Sequence, residues 1–484
     1  MSPFTMDPFR VNARAYFEHE HGVDARRLER VLAEGLGRGG DFADVYVEYR
    51  QASSLHLEES LLKESSESVA VGAGVRVVVG EQTGYAYTNE LSLEALLECA
   101  RTAARIARGS RAAGSVNLSP QPVPDRYAVE RPAHAAPMAE KVAFLRAADA
   151  AARAADPRAR EVTASWSDEW RQVLIATSAG ELVADTQPLA TFSVSAVLEA
   201  NDQRQAGWKN RGLRAGLEAF SVAEAERLAR EAVAQAATLL AAVHAPAGEF
   251  PVVLAPGASG VLLHESVGHP LEADANRKRL SVFSGRLGER VATELTTVVD
   301  DATLPGLRGS VNVDGEATIP RTPTVLIEKG VLRAYLQDRL SARLMQMSPT
   351  GNGRRQDYSS IPIPRMTNTF LAAGDSDPEE IVRSVARGLY CQAFSGGQVE
   401  PAVGKFTFSM HEAYLIEDGR RTRPVKGATL IGSGEEILRN IVAVGHDLVL
   451  DRGAWACGKD GQSAPVGVGT PTVKIAKMTV GGRR

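Results

Sequence analysis

At 484 residues the chain exceeds one ordinary hydrophobic core, so two domains are expected. Apolar residues make up 44% and charged residues 24%, values ordinary for a soluble globular protein, and a net charge of −4 offers no basic field for nucleic acid. The opening residues 1–21 carry charges throughout and lack the apolar core of a secretory leader, and no long apolar run could span a membrane. Cys99, Cys391 and Cys457 are too few and too scattered for a disulfide framework, which fits a reducing, cytoplasmic setting.

In chain order, a short helical opening precedes a strand at Ala43–Arg50, and Ser68–Val79 with Tyr85–Thr88 reads as a hairpin or meander. The apolar stripe of Leu91–Ala107 predicts a helix with Cys99 packed beside it. Residues 120–137 are rich in proline and polar groups and lead to an alanine-rich helix at Met138–Ala155. Glu161–Val173, Leu182–Ala184 and Ala190–Leu198 read as antiparallel strands, and Val222–Val243 as a long amphipathic helix. The following Ala245–Glu249 segment is the expected boundary, giving an N-terminal α+β domain at 1–244 and a β-rich C-terminal domain at 245–484. Phe250–Leu254 predicts a buried strand and Pro256–Gly268 a helix closed by glycine. Thr322–Tyr335 has a hairpin pattern turning at Lys329-Gly330, and Phe406–Gly419 resembles a second. Strands in runs with helices set apart give α+β rather than a doubly wound sheet.

The most informative stretch is His264-Glu265-Ser-Val-Gly-His269-Pro270, two imidazoles and a carboxylate just after an apolar run. It suggests a bound zinc ion (Zn2+), with His264 and His269 as ligands and Glu265 as the base acting on water at the metal. The spacing is unusual, because a zinc-peptidase helix places its histidines at i and i+4 and here the second is at i+5. On an ideal helix the two would diverge by about 140°. Gly268 can leave the helical region and Pro270 disfavours it for His269, so His269 is expected to swing back from beyond the helix end. A third ligand must come from elsewhere. Cys457 in a glycine-rich turn leads, with His411, Glu272 and Asp274 competing and the two carboxylates better suited to orienting a histidine or facing solvent.

Gly453–Asp460 falls short of a phosphate-binding loop, because Asp460 stands where a hydroxyl should hold magnesium and no helix follows. Gly72-Ala-Gly74 reads as a turn, and Thr350–Tyr358 as a solvated turn in preference to a substrate loop. The Ser395–Gly397 and Gly404–Phe408 segments raise the possibility of strand edges that pair with an extended peptide.

Pro246–Phe250, His264–Asp274, Thr350–Arg355, Pro364–Thr369, Gly396–Gln398 and Cys457–Gln462, in that order, resemble the TldD branch of the TldD/PmbA metallopeptidases. The resemblance implies a zinc peptidase whose metal is held by His264, His269 and Cys457, with Glu265 as catalytic base. It also implies a β-rich catalytic C-terminal domain, and dimerisation around an enclosed cavity. The partner would be a second copy or a PmbA/TldE-like subunit that lacks the metal motif. Pro270 and His411 depart from the family pattern.

The expected activity is hydrolysis of unfolded or short peptides. The rivals are a zinc amidohydrolase of a small metabolite and a peptide-binding or maturation partner whose metal is structural. For the oxyanion-stabilising group the sequence offers Tyr358, Arg354 and His411.

Overall fold

The computed structural model describes residues 12–108, 116–400 and 404–482, so residues 1–11, read above for a leader, lie outside it. The fold is mixed α+β. Its N-terminal half holds helices α1 (Ala13–Glu20), α2 (Ala25–Leu36), α3 (Leu93–Ala107), α4 (Met138–Ala155) and α5 (Val222–Leu240). The strands are β1 (Phe42–Glu58), β2 (Leu61–Val79), β3 (Gln82–Thr88), β4 (Ser119–Pro120), β5 (Ala159–Thr177), β6 (Glu181–Ala200) and β7 (Gln203–Leu213). Side chains of Asn12, Asp24, Ser92 and Ser221 each accept a backbone N–H and so begin α1, α2, α3 and α5.

The strands form one sheet in the order β3-β2-β1-β5-β6, with β4 and β7 both paired to β6. Strict alternation divides it into two faces. Val45, Val47, Val75 and Val77 pack against α2 and α3, and Val162, Trp166, Phe192 and Val194 against α4 and α5. Cys99 is a buried thiol in the first of these cores. The opposite face presents Tyr46, Val173, Ile175 and Val183 to Val313 and Ala317 of the C-terminal half.

Between those apolar contacts lies a charged layer. Arg76 reaches Asp44 at 2.5 Å and Glu316 at 2.6 Å, and Arg355 also pairs with Asp44; all four side chains are essentially inaccessible. Gly72 and Gly74 lie within β2 rather than in a turn. A Cβ at Gly72 would overlap the ring of Tyr358 and one at Gly74 the hydroxyl of Tyr85, so close packing explains these glycines.

In the C-terminal half, strands 387–400, 248–254, 473–481, 429–433 and 405–417 pair in sequence, and the last pairs back to the first. That closure leaves no free edge among these strands where they pair. Phe406–Gly419 is a correction: Lys405–Glu417 is one strand, and the hairpin turns at Asp418-Gly419 into 420–426. The Thr322–Tyr335 hairpin is present as strands 324–328 and 331–332. Thr350–Tyr358 is not solvated. Asn352 Nδ2 donates to Asp300 Oδ2 at 2.8 Å, and Arg354 and Arg355 are buried.

Burial, with Glu316 adding repulsion, pushes Asp338 up to about 6 and Asp314 up to about 7, from an ordinary value of 3.8. Both folded values lie above the unfolded ones, so between about pH 4 and pH 7 the folded chain holds protons that the unfolded chain has released. Stability is therefore expected to fall as pH rises through that window. Asp338 caps Ser341 N, a role asparagine also fills, so Asp338→Asn should flatten the decline of melting temperature with pH. An equally steep decline in the variant would show that Asp338 is not the source of this pH dependence.

Candidate metal centre

The strand ending at Leu254 runs into a continuous helical stretch: 3-10 geometry at Ala258–Gly260, α at Val261–Leu263, π at His264–Gly268, and 3-10 again at His269–Leu271. The N–H of His269 donates to the carbonyl of His264, five residues back. This corrects the expectation of a single helix closed by a glycine that leaves the helical region. Gly268 has φ −59° and His269 has φ −58° and ψ −45°, both right-handed helical values. The π turn absorbs the one residue by which this spacing exceeds i+4, so both imidazoles stay on one face. Gly268 is required for space, since a Cβ there would overlap Met366 Sδ. Leu262, Leu263 and Val267 bury the other side of the stretch in the main core of this half.

Cys457 comes from a hairpin of strands 456–459 and 462–465 turning at Asp460-Gly461, whose φ values of 50° and 74° form the tight reversal. That hairpin stands where a phosphate loop would need a helix. Ligand atoms of His264, His269 and Cys457 all lie within 4.8 Å of one another, and the three residues are 3%, 8% and 3% exposed. Cys457 Sγ is 3.3 Å from His269 Nε2. Burial alone would push the thiol up, but His264 and His269 overcome it and draw Cys457 down to about 4. Burial works against a charged His269, yet Glu272 and Cys457 hold it well above its ordinary range. A preformed thiolate beside two imidazoles is a donor set that fits a metal, with a proton released from His269 when it binds. His264 Nδ1 is buried with no hydrogen bond among the described residues, which leaves that ring free to serve as a donor.

Glu272 faces His269 Nδ1 at 3.1 Å. Despite complete burial its carboxyl is held down at about 2 by His269 and Lys459. Lys459 Nζ lies 3.0 Å from Glu272 and 2.8 Å from Asp274, so neither carboxylate enters the cluster and Asp274 is ion-paired. Arg365 donates to the carbonyl of Cys457. Sequence reading missed Lys459 and Arg365; their signal was their place inside the segments that carry the family resemblance. Glu265 sits at the rim, 3.8 Å from His269 Nε2 and partly exposed.

The other candidates lie elsewhere. His411 packs against Trp208 at 6.1 Å between ring centroids and is absent from the cluster. Tyr358 is packed on β2 and Tyr87. Arg354 is buried, donates to the Met366 carbonyl at 2.7 Å, and is close enough to feel the Cys457 charge.

The sequence matches family models in three segments: the PmbA/TldA metallopeptidase domain 1 at residues 43–107, the central domain at 131–240 and the C-terminal domain at 247–482. The chain belongs to the PmbA/TldD metallopeptidase family. A metalloprotease TldD homolog of Haemophilus influenzae is 46% identical over 92% of this chain and 94% of its own. A zinc metalloprotease TldD homolog of Saccharolobus solfataricus is 30% identical over 49% of this chain and 52% of its own. The crystal structure of TldE from Thermococcus kodakarensis superposes with a TM-score of 0.73 at 20% identity, over 94% of this chain and all of that one. As a TldD-family metallopeptidase the protein is a hydrolase. Among the described residues no helix is long and apolar enough to cross a membrane.

Glu272 fixes the proton of His269 on Nδ1 and so turns Nε2 toward Cys457. Glu272→Gln is expected to weaken metal binding by about 10–100-fold. Competition with a chromophoric chelator would measure it, and unchanged affinity would show that the carboxylate does not orient the ring.

Proposed function

We propose that this TldD-family protein is a zinc metallopeptidase that hydrolyses unfolded or short peptides. His264, His269 and Cys457 hold the metal and Glu265 is the catalytic base. The observation that carries this reading is the buried His/His/Cys cluster with one carboxylate at its rim. Two imidazoles and a thiolate favour zinc among first-row metals, and the relative from Saccharolobus solfataricus bears that metal in its name. Three protein donors would also leave one position open for water or substrate, as catalytic zinc sites require.

Zinc held there supplies Lewis acidity toward the scissile carbonyl and acidifies bound water. The chain's own residues do the rest. Glu265, adjacent in sequence to one ligand and 3.8 Å from the other, takes a proton from the attacking water and returns it to the leaving amine. Glu272 keeps His269 in the tautomer whose Nε2 faces the cluster, and Arg365 fixes the backbone that presents Cys457.

The likeness to TldE supports, at the level of fold, assembly with a second subunit, either another copy or a PmbA/TldE-like chain without the metal motif. Such a pair would enclose the active centre and admit only extended chains. A cytoplasmic location accords with three unpaired thiols.

Elemental analysis tests the ligand set. The wild type is expected to bind about one zinc per chain, and His264→Ala and Cys457→Ser should each lose it. Protein that binds no zinc under chelator-free conditions and cannot be reloaded would end the hydrolase mechanism. Glu265→Gln separates binding from chemistry: it should retain zinc while peptide cleavage falls by about 10²–10⁴-fold or more. Full activity in the zinc-loaded variant would remove Glu265 from the base role.

A further inference from the structure

The hairpin that carries Cys457 has a second face. Ala456, Ser463 and Pro465 alternate with Cys457 and its partner Ala464, and they line a cavity of about 330 Å³ between the N-terminal sheet and the C-terminal half. The wall that presents the cysteine on one side therefore bounds this cavity on the other.

The charges around the cavity do not balance. Arg50 and Arg171 share Glu169, at 3.6 and 2.9 Å. Arg355 is bound to Asp44. Arg214, Arg308 and Arg354 also line the cavity, and none of them has a carboxylate within ion-pair distance among the described residues. Their hydrogen bonds go to neutral groups: Arg308 to Trp455 O at 2.8 Å and Thr191 Oγ1 at 2.9 Å, Arg354 to Met366 O at 2.7 Å, and Arg214 weakly to Pro188 O at 3.4 Å. Arg214 is only 5% exposed, and its Nε has no partner. Two acids act on Arg214 at longer range: Asp185, taken up by Tyr127, Asn312 and Gln187, and Glu169, shared by Arg50 and Arg171. Burial, together with repulsion from Arg214, draws Arg308 down to about 10 and Arg354 to about 9. Two buried guanidiniums and the partly buried one of Arg308 converge on one space whose own carboxylates are Glu169, already shared by two arginines, and Asp314, which burial holds toward its neutral form, an arrangement that an anion would relieve.

We propose that this cavity is a carboxylate-binding site that receives the free C-terminus or an acidic side chain of a bound peptide. The forked guanidinium matches a carboxylate bidentately, and the volume accommodates about one residue of such a ligand. Arg308 is bound to the Trp455 carbonyl two residues before Cys457, so an occupied site bears directly on the hairpin that holds the thiolate. The inference rests on the peptidase reading for the identity of the ligand as a peptide.

The test is calorimetric titration of zinc-loaded Glu265→Gln protein with three versions of one short peptide: a free acid with no acidic residues, its C-terminal amide, and the amide with one internal glutamate. Inorganic phosphate is titrated alongside. The two carboxylate-bearing peptides are expected to bind about tenfold or more tightly than the uncharged amide, the worth of one charge-assisted hydrogen bond. Adding Arg308→Met should erase that preference, and Arg308→Lys, which keeps the charge without the fork, should restore part of it. Preference for only one of the two peptides would assign the source of the carboxylate. Equal binding of all three peptides would overturn the proposal even if Arg308→Met failed to fold, because the comparison needs only the Glu265→Gln background. Phosphate binding without a preference among the peptides would overturn it too, leaving a site for a free anion. Failure of the peptidase reading would show separately, as no cleavage of any of the three by zinc-loaded wild type.

Discussion

One backbone hydrogen bond organises the candidate active centre, the five-residue closure from His269 N–H to His264 O. An α-helix would carry residues five apart to different sides, whereas the π turn keeps both rings on the face that meets Cys457. Its requirements propagate outward. The π turn brings Gly268 against Met366, Met366 accepts from Arg354 through its carbonyl, and the adjoining strand 368–371 pairs with 467–470, which follows the Cys457 hairpin. The unusual helix and the distant cysteine are thus held by one packed unit.

Although all three clustered residues belong to the C-terminal half, the N-terminal sheet helps to place one of them. Gly212 N–H of β7 donates to Arg452 O, and Asn210 Oδ1 accepts from Ala454 N–H, so the chain leading into Cys457 is fastened to β7. Elsewhere the two halves meet through the Asp44, Arg76, Glu316 and Arg355 layer. Buried ion pairs of this kind add little net stability but are costly to break, since each broken pair strands a charge. They therefore act mainly on orientation. A small rotation of one half against the other would unpair Arg76 and shift the support of the cysteine hairpin together.

Much of this architecture was legible in the sequence where one physical signal dominated. Met138–Ala155 was read to the residue because an alanine-rich stripe ends at Asp156, where the chain turns extended. The split read at 184–190 vanished because Pro188 lies in β6 opposite Trp170 before β7 begins its pairing at Ala190, so its missing N–H costs no bond on that side. Gly72 and Gly74 misled because their reason is tertiary, the approach of Tyr85 and Tyr358. The π turn was equally hidden, since no local propensity distinguishes it from an α-helix whose glycine ends it. Charge partners such as Lys459 and Arg365 are set by contacts between segments remote in sequence, which periodicity does not register.

The Cys457 thiolate shapes the electrostatics of the whole cluster. A buried thiolate needs positive charge near it, and in the metal-free protein His264 and His269 provide it at the cost of a proton on His269. Were His264, His269 and Cys457 to hold a divalent ion, the ion would supply that charge, His269 would give up its proton, and Glu272 would hold a neutral, oriented ring. Glu272 would itself be an uncompensated buried anion at that stage, and Lys459 at 3.0 Å prevents it. Lys459 is only two residues beyond Cys457 and on the same hairpin, so the strand that delivers the thiolate also delivers the cation that balances the carboxylate behind the histidine. One short hairpin thereby meets both electrostatic demands of the site, which gives a physical reason for Cys457 and Lys459 to occur together.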